Sequence, residues 1–331
     1  MPAEPFRFAN LTLGGANVTD IMRDAMLAKY SLIRYYYTQL FLLSTSTGGS
    51  FYKPVFFEYP NDPLAYQVEP SENVMLGSAL KLSIKTRISA NISADTNAYF
   101  FSGENWCDIL RPESPCHYGN GTSTMVSLPA NLSDYQVHLR EGHIIPFQDA
   151  RKIRPVTSED LQNHTVDLIV HPRNLTTNIT TLVFSANGVY VNDDGTTPAA
   201  SLEGTYNSYT LSFRMTDKMD GIIGNADIRL YVSPRVEATK AYNNETKCSA
   251  VNRNDYLGNI YILDEGGIFK SPRYQVQLVR PDQTFDEIGV ATLDQTTNRL
   301  YISTFNNDIA PVCLGYIQEI RFRGEPLVPP V

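Results

Sequence analysis

The residues of this chain that could do chemistry are scattered acids, histidines and cysteines, and their spacing decides what they can do. Asp193-Asp194-Gly195 sets two carboxylates side by side, as an acid–base pair or the start of a calcium loop would. The remaining calcium-ligand spacing is absent, and Asp-Gly between two β-runs is a hairpin turn by preference. Glu58 and Asp62 flank Pro60 and read as solvated surface. Histidines 117, 138, 143, 164 and 171 show neither an i,i+4 pair nor an H-E-x-x-H arrangement, so no metal site is expected. His138 alternates with apolar neighbours and reads as a hydrogen-bonded histidine inside a β-layer. Thr47-Gly48-Gly49-Ser50 lacks the G-x-S-x-G elbow and a base to go with it. No phosphate-cradling glycine loop occurs. The expectation is no catalytic residue, no cofactor and no metal.

The cysteines and asparagines carry a different message. Cys107 and Cys116 flank a short loop containing Pro and Ser, and Cys248 and Cys313 both fall in the last third. An even number in two local pairs suits disulfides in an oxidising compartment; buried free thiols are the alternative. Sequons N-x-S/T occur at Asn10, Asn17, Asn91, Asn120, Asn131, Asn163, Asn174, Asn178 and Asn244. Chance pairing would give about four, so the excess points to N-glycosylation, against Asn/Thr-rich β-turns as the alternative. Both features belong to the secretory pathway. Yet Met1-Pro2-Ala3-Glu4-Pro5-Phe6 has none of the apolar core of a signal peptide. The conflict resolves if the chain is the C-terminal part of a longer protein, lysosomal or extracellular, whose signal lies upstream.

Composition narrows the class. At 331 residues the chain is long enough for two cores. A net charge of −8 with no basic block argues against nucleic acid as a partner. Tyr35 to Leu43, the best apolar run, is far shorter than the roughly 18 residues of a membrane span.

These groups must be positioned by a mainly β framework behind one helix. Residues 17–45 carry two apolar stripes: Ile21, Ala25, Leu32, Tyr36 and Leu43 on one, Met22, Met26, Ile33, Tyr37 and Phe41 on the other. A helix apolar on two faces needs more than one neighbour. The β-structure beginning at Phe51 is one; the other is not in the chain. Asp20 is a fair N-cap, and Thr45 to Ser50 with Gly48-Gly49 is the stop. Beyond it come short runs with period two: Tyr52–Tyr59, Val74–Ile84, Asn97–Phe101, Thr124–Leu128, Tyr135–Leu139 and Ile144–Phe147. After a polar linker, Arg151 to Leu161, follow Val166–Val170, Thr181–Phe184, Tyr209–Met215, Ile228–Val232, Ile260–Leu263 and Tyr274–Leu278.

Several stretches resemble glycoside hydrolase family 31, the α-glucosidases of lysosomal α-glucosidase and sucrase-isomaltase type. Lys29 to Phe41 (KYSLIRYYYTQLF) is similar to the family's last barrel helix, and Lys53 to Asp62 (KPVFFEYPND) to its P-x-x-R-P-L-F-F-E-F-P-x-D. Asn73 to Ser83 resembles F-L-L-G-x-x-L-L-V-S. Tyr99 to Asp108 resembles Y-L-P-x-G-x-W-Y-D, and His138 to Pro146 resembles H-V-R-G-G-S-I-I-P, with Glu141 at the first Gly. Ala3-Glu4-Pro5-Phe6 is similar to the loop after the last barrel strand, and Val189 to Gly195 to L-Y-x-D-D-G of the distal sandwich.

The resemblance implies a helix left over from a (β/α)8 barrel (1–48), a proximal β-sandwich (49–150) and a distal one (151–331). It implies a parent enzyme that cleaves α-linked glucosides without cofactor, through two carboxyls about 5 Å apart. In the family the nucleophile lies in W-x-D-M-N-E. The nearest approach here, Trp106-Cys107-Asp108-Ile109, continues Leu110-Arg111 and lies inside a sandwich motif, so it reads as a decoy. The expectation is a non-catalytic region that braces the upstream barrel and is inactive alone. The alternatives are a stand-alone carbohydrate-binding module with Trp106 and the Tyr-rich strands as stacking platforms, and a secreted glycoprotein without sugar ligand.

Overall fold

The computed structural model describes residues 8–13, 15–85, 95–111, 114–119, 121–130, 135–175, 181–191, 206–216, 227–234, 257–263, 273–279, 285–294, 299–302 and 319–324. The chain forms two compact units, residues 1–140 with 149–156, and 141–148 with 157–331.

In the first unit, β1 (Thr12–Leu13) and β2 (Ala16–Asn17) make a short hairpin leading into α1 (Val18–Ser31) and α2 (Ile33–Leu42). The N-cap is Asn17, not Asp20: its Oδ1 accepts from the N–H groups of Thr19 (2.8 Å) and Asp20 (3.4 Å), satisfying donors that an α-helix start leaves open. Asp20 lies one turn in and pairs with Arg23. At Leu32 the backbone leaves helical geometry (φ −104°, ψ 5°) and separates α1 from α2. After α2 a wide turn, Leu43–Thr47, closes on Gly48 at φ 64°, where the expected stop falls.

Burial on the helices corrects the stripes read from sequence. One stripe is covered: Leu27, Ala28, Ser31, Leu32, Tyr35, Thr38 and Phe41, spaced three and four apart. Of the ten residues assigned to two stripes, only Leu32 and Phe41 are buried; Met26 is 51% exposed. The covered stripe holds a serine and a tyrosine, Ser31 and Tyr35, because their hydroxyls make docking bonds.

The strands β3 (Tyr52–Pro54), β4 (Asn73–Leu76), β5 (Leu80–Ser83), β6 (Thr96–Phe100), β7 (Asn105–Asp108), β8 (His117–Tyr118), β9 (Thr124–Leu128) and β10 (Gln136–Arg140) build two layers. One is a six-stranded sheet in the order β3-β4-β5-β10-β7-β8; the other is the pair β6-β9. Two sequence readings are corrected. Tyr52–Tyr59 is a strand only to Pro54, then a helical turn, α3 (Val55–Glu58), which sets Val55 and Tyr59 together in the core. Val74–Ile84 is a hairpin, because Gly77 sits at φ 65°.

α2 is anchored to that hairpin. The Tyr35 hydroxyl donates to Leu76 O (2.7 Å) and accepts from Ala79 N (3.0 Å). A Cβ on Gly77 would stand 2.7 Å from the Tyr35 Oη and 2.8 Å from Gln39 Oε1, so glycine is required twice over. In parallel, α4 (Ala150–Ile153) is tied to α1, Ala150 N donating to Ser31 Oγ at 3.0 Å.

The second unit contains β11 (His143–Phe147), β12 (Val166–His171), β13 (Arg173–Asn174), β14 (Thr181–Val191), β15 (Tyr206–Thr216), β16 (Asp227–Pro234), β17 (Leu257–Leu263), β18 (Arg273–Val279), β19 (Phe285–Asp294), β20 (Arg299–Ile302) and β21 (Glu319–Gly324). They form one sheet in the order β11-β12-β17-β20-β19-β18-β21-β16-β15-β14-β13, and β11 also pairs with β14, so the sheet returns on itself. The seam is tight: a Cβ on Gly188 would meet Ile144 O at 2.2 Å. Gly142, at φ 77°, donates to His171 O and turns β11 into the second unit, whereas residues 149–156 return to the first.

Candidate functional site

Each carboxylate that sequence singled out is committed to structure where it is described. Asp108 is 1% exposed. Its Oδ1 accepts from Leu110 N (2.8 Å) and Arg111 N (2.9 Å), and its Oδ2 from the Arg111 guanidinium (3.1 and 3.2 Å). Burial pushes its carboxyl up against the pull of those donors. It closes the end of β7 and presents nothing to a substrate. Glu58 is not solvated surface: it accepts from Lys53 Nζ (2.9 Å) and from Arg140 (2.7 Å). Partial burial raises its carboxyl, but the bonds from Lys53 and Arg140 outweigh that and hold it below the usual range. Arg140 also pairs with Glu104, which takes the Tyr59 hydroxyl proton donor at 2.6 Å. The two glutamates share one guanidinium, which fixes α3 against β10 and leaves neither free as nucleophile or acid. Asp62 caps the short helix Pro63–Tyr66, accepting from Leu64 N (2.9 Å) and from the Tyr99 hydroxyl (2.5 Å). Asp193 and Asp194 lie outside the described residues.

Cys107 and Cys116 form a disulfide between β7 and the approach to β8. Cys248 and Cys313 lie outside the described residues, as do Asn91, Asn120, Asn131, Asn178 and Asn244. Asn10, Asn163 and Asn174 are exposed, whereas Asn17 is spent on its helix, its Nδ2 donating to Ala9 O at 2.8 Å. Trp106 is fully buried, so it cannot stack on a sugar ring, and of the platforms expected for a carbohydrate module only exposed tyrosines such as Tyr52, Tyr66 and Tyr118 stay available. His138 is buried as expected, but its Nδ1 has no hydrogen-bond partner. No helix among the described residues is long and apolar enough to cross a membrane.

Among the described residues, one apolar surface open to a partner is the outer face of α1 and α2. Met26, Tyr37 and Leu40 stand exposed beside the anchored stripe, and the Tyr37 ring stacks on Phe41 at 6.3 Å. An edge-to-face run links Tyr36 through the buried Phe51 ring to Tyr52 at β3. Lone exposed apolar residues are ordinary, but a continuous row on a rigidly docked helix marks an interaction surface. Sequence indicated the excess apolar face; the Tyr35 anchor that makes it rigid was missed, since a tyrosine among three (35–37) carries no signal of its own.

The first unit is thus a helix-led, antiparallel β-layered unit, and the second is a β-sheet that returns on itself. Comparison with known proteins shows what the chain is similar to. Residues 48–145 match the family description "Glycosyl hydrolase family 31 C-terminal domain". Lysosomal alpha-glucosidase of Bos taurus is 31% identical over 158 residues, covering 44% of this chain and 16% of that protein. Neutral alpha-glucosidase AB of Mus musculus is 31% identical over 146 residues, covering 42% and 14%. Among solved structures, a Flavobacterium johnsoniae GH31 dextranase complexed with glucose superposes with a TM-score of 0.62 at 16% identity, covering 97% of this chain and 34% of that one. The DNJ-bound glucosidase II alpha subunit gives 0.65 at 16% identity, covering 94% and 30%. Residues 48–145 are therefore similar to the C-terminal domain of glycosyl hydrolase family 31, and the chain spans about a sixth of the length of the curated relatives it matches.

Proposed function

We propose that this chain is the non-catalytic C-terminal region of an α-glucosidase-type enzyme, and that α1 and α2 brace the upstream catalytic barrel. The observation that carries this is the exposed row Met26, Tyr37 and Leu40 on a helix pair anchored by Tyr35. The occupant of that row is the upstream portion, because the relatives are several times longer than their match to this chain. Residues 1–48 are then the end of the barrel, and the two β-units stand beside it. The parent would release glucose from α-linked oligosaccharides with two carboxyls supplied by the barrel. Its compartment is the secretory pathway, where exposed Asn10, Asn163 and Asn174 can take glycans and the Cys107–Cys116 bond persists.

The test uses the purified chain with a nitrophenyl α-glucoside. No turnover is expected, together with self-association through the bare helix face; glycosidase activity from this chain alone would refute the reading.

A further inference from the structure

Behind the helices, the first unit encloses a cluster of basic groups in an unusual setting. Lys81 on β5 stands directly across from His138 on β10, and His138 across from Asp108 on β7. His117 on β8 stands across from Trp106. Residues opposite one another share a face, so all of these project toward the β6-β9 layer. There they converge on one ring. The Lys81 Nζ lies 4.1 Å over the centroid of Phe100, the His117 ring stacks on it at 4.2 Å, and the His138 ring meets it edge-on at 5.1 Å. His117 and His138 are 5.5 Å apart.

Among the described residues no free counter-charge faces the cluster. The Lys81 Nζ donates to the neutral Ser83 Oγ at 2.7 Å. Asp108 is taken by Arg111 and two backbone N–H groups, and Glu104 by Arg140 and Tyr59. Asn73 and Gln136, on β4 and β10, are neutral, and β6 contributes Phe100. Arg111 and Arg140 add only positive charge. His138 Nδ1, Trp106 Nε1 and Gln136 Oε1 are buried without partners. A charge on the fully buried Lys81 or His138 has no free carboxylate beside it among the described residues.

We propose that this cluster is an acid-labile latch: Phe100 holds the β6-β9 layer on the six-stranded sheet only while His117 and His138 are neutral, and proton uptake opens the first unit.

Burial pulls the Lys81 amine down to about 7. Burial, reinforced by Lys81, pulls His117 down to about 4 and His138 well below its ordinary value. The sign follows. The unfolded chain binds protons on both histidines below about pH 6.5 and the folded chain does not, so stability present above that pH is lost as pH falls. Two such protons raise the unfolding equilibrium constant about 600-fold between pH 7 and 5, and one raises it about 25-fold. The region is therefore built for a neutral compartment and not an acidic one. That last step rests on the secretory reading above, whereas the latch itself does not.

Trp106, the chain's single tryptophan, sits in the cluster and reports on this unit within the whole chain. Urea unfolding followed by its fluorescence should show a several-hundred-fold change between pH 7 and 5. His117→Phe and His138→Phe should each cut that to about 25-fold. A change below tenfold in the unaltered chain, or full pH dependence in both variants, overturns the proposal. Imidazole carbon resonances of the folded, unaltered chain give an answer even where a variant fails to fold. Both rings should remain neutral at pH 5, and titration of both near 6.5 overturns the latch. A flat profile without glycosidase activity would remove the latch and leave the bracing role standing.

Discussion

Replacing Tyr35 by Phe removes a single oxygen and tests how the outward helix face is held. That oxygen donates to Leu76 O and accepts from Ala79 N, on either side of the Gly77 turn. Both residues, like Tyr35, are no more than 2% exposed, so water cannot replace the lost partner. A buried backbone group left unpaired costs roughly 1–3 kcal/mol, and two are orphaned here, so a loss of about 3 kcal/mol is expected. Burial pushes the Tyr35 phenol far above its ordinary range, so it stays protonated and the loss is the same at pH 7 and 8.5. The assay is urea unfolding read by Trp106 fluorescence, which belongs to the same unit. Gly77→Ala supplies the cross-check, because its Cβ would strike the Tyr35 hydroxyl. Made together with Tyr35→Phe it should cost less than the sum of the two alone, by about 1 kcal/mol or more. A loss below about 0.5 kcal/mol for Tyr35→Phe, or strict additivity, would show that α2 is not held by this bond.

Asp108→Asn strands the Arg111 guanidinium and should cost about 2–4 kcal/mol of stability by the same assay, which is the behaviour of a structural acid and not of a nucleophile. Leu40→Glu and Met26→Glu, on the exposed face, should change stability by no more than about 0.5 kcal/mol while reducing self-association in sedimentation velocity. Reducing the Cys107–Cys116 bond, whose partners are nine positions apart, should lower stability by about 3 kcal/mol through loop-closure entropy, read as a shift of the urea midpoint.

Much of the framework is legible from alternation alone. Thr124–Leu128 agrees at both ends, and the runs at 97–101, 135–139 and 166–170 fall within a residue of their strands. The failures have local causes. Asn105–Asp108 lacks alternation because Trp106, Cys107 and Asp108 are all buried, and His117–Tyr118 is only two residues long. Val55–Glu58 looks extended by its β-branched and aromatic content, but one helical turn places Val55 and Tyr59 together. Glu58 read as surface because its two cationic partners lie five and eighty-two positions away. The Lys81 cluster drew no notice for the same reason: its members come from three strands, and only the register of the sheet brings them to one ring.

The returning sheet of the second unit sets an order of manufacture. Its last described strand, β21, lies between β16 and β18 and not at a margin. A ribosome that has delivered everything up to residue 318 has therefore made a sheet with a gap in its middle. Both strands bordering that gap show bare N–H and C=O rows, which invite pairing with another chain. The first unit needs nothing beyond residue 156 for its described elements. A nascent chain thus carries a finished half and a sticky half at once, for as long as the final stretch takes to emerge.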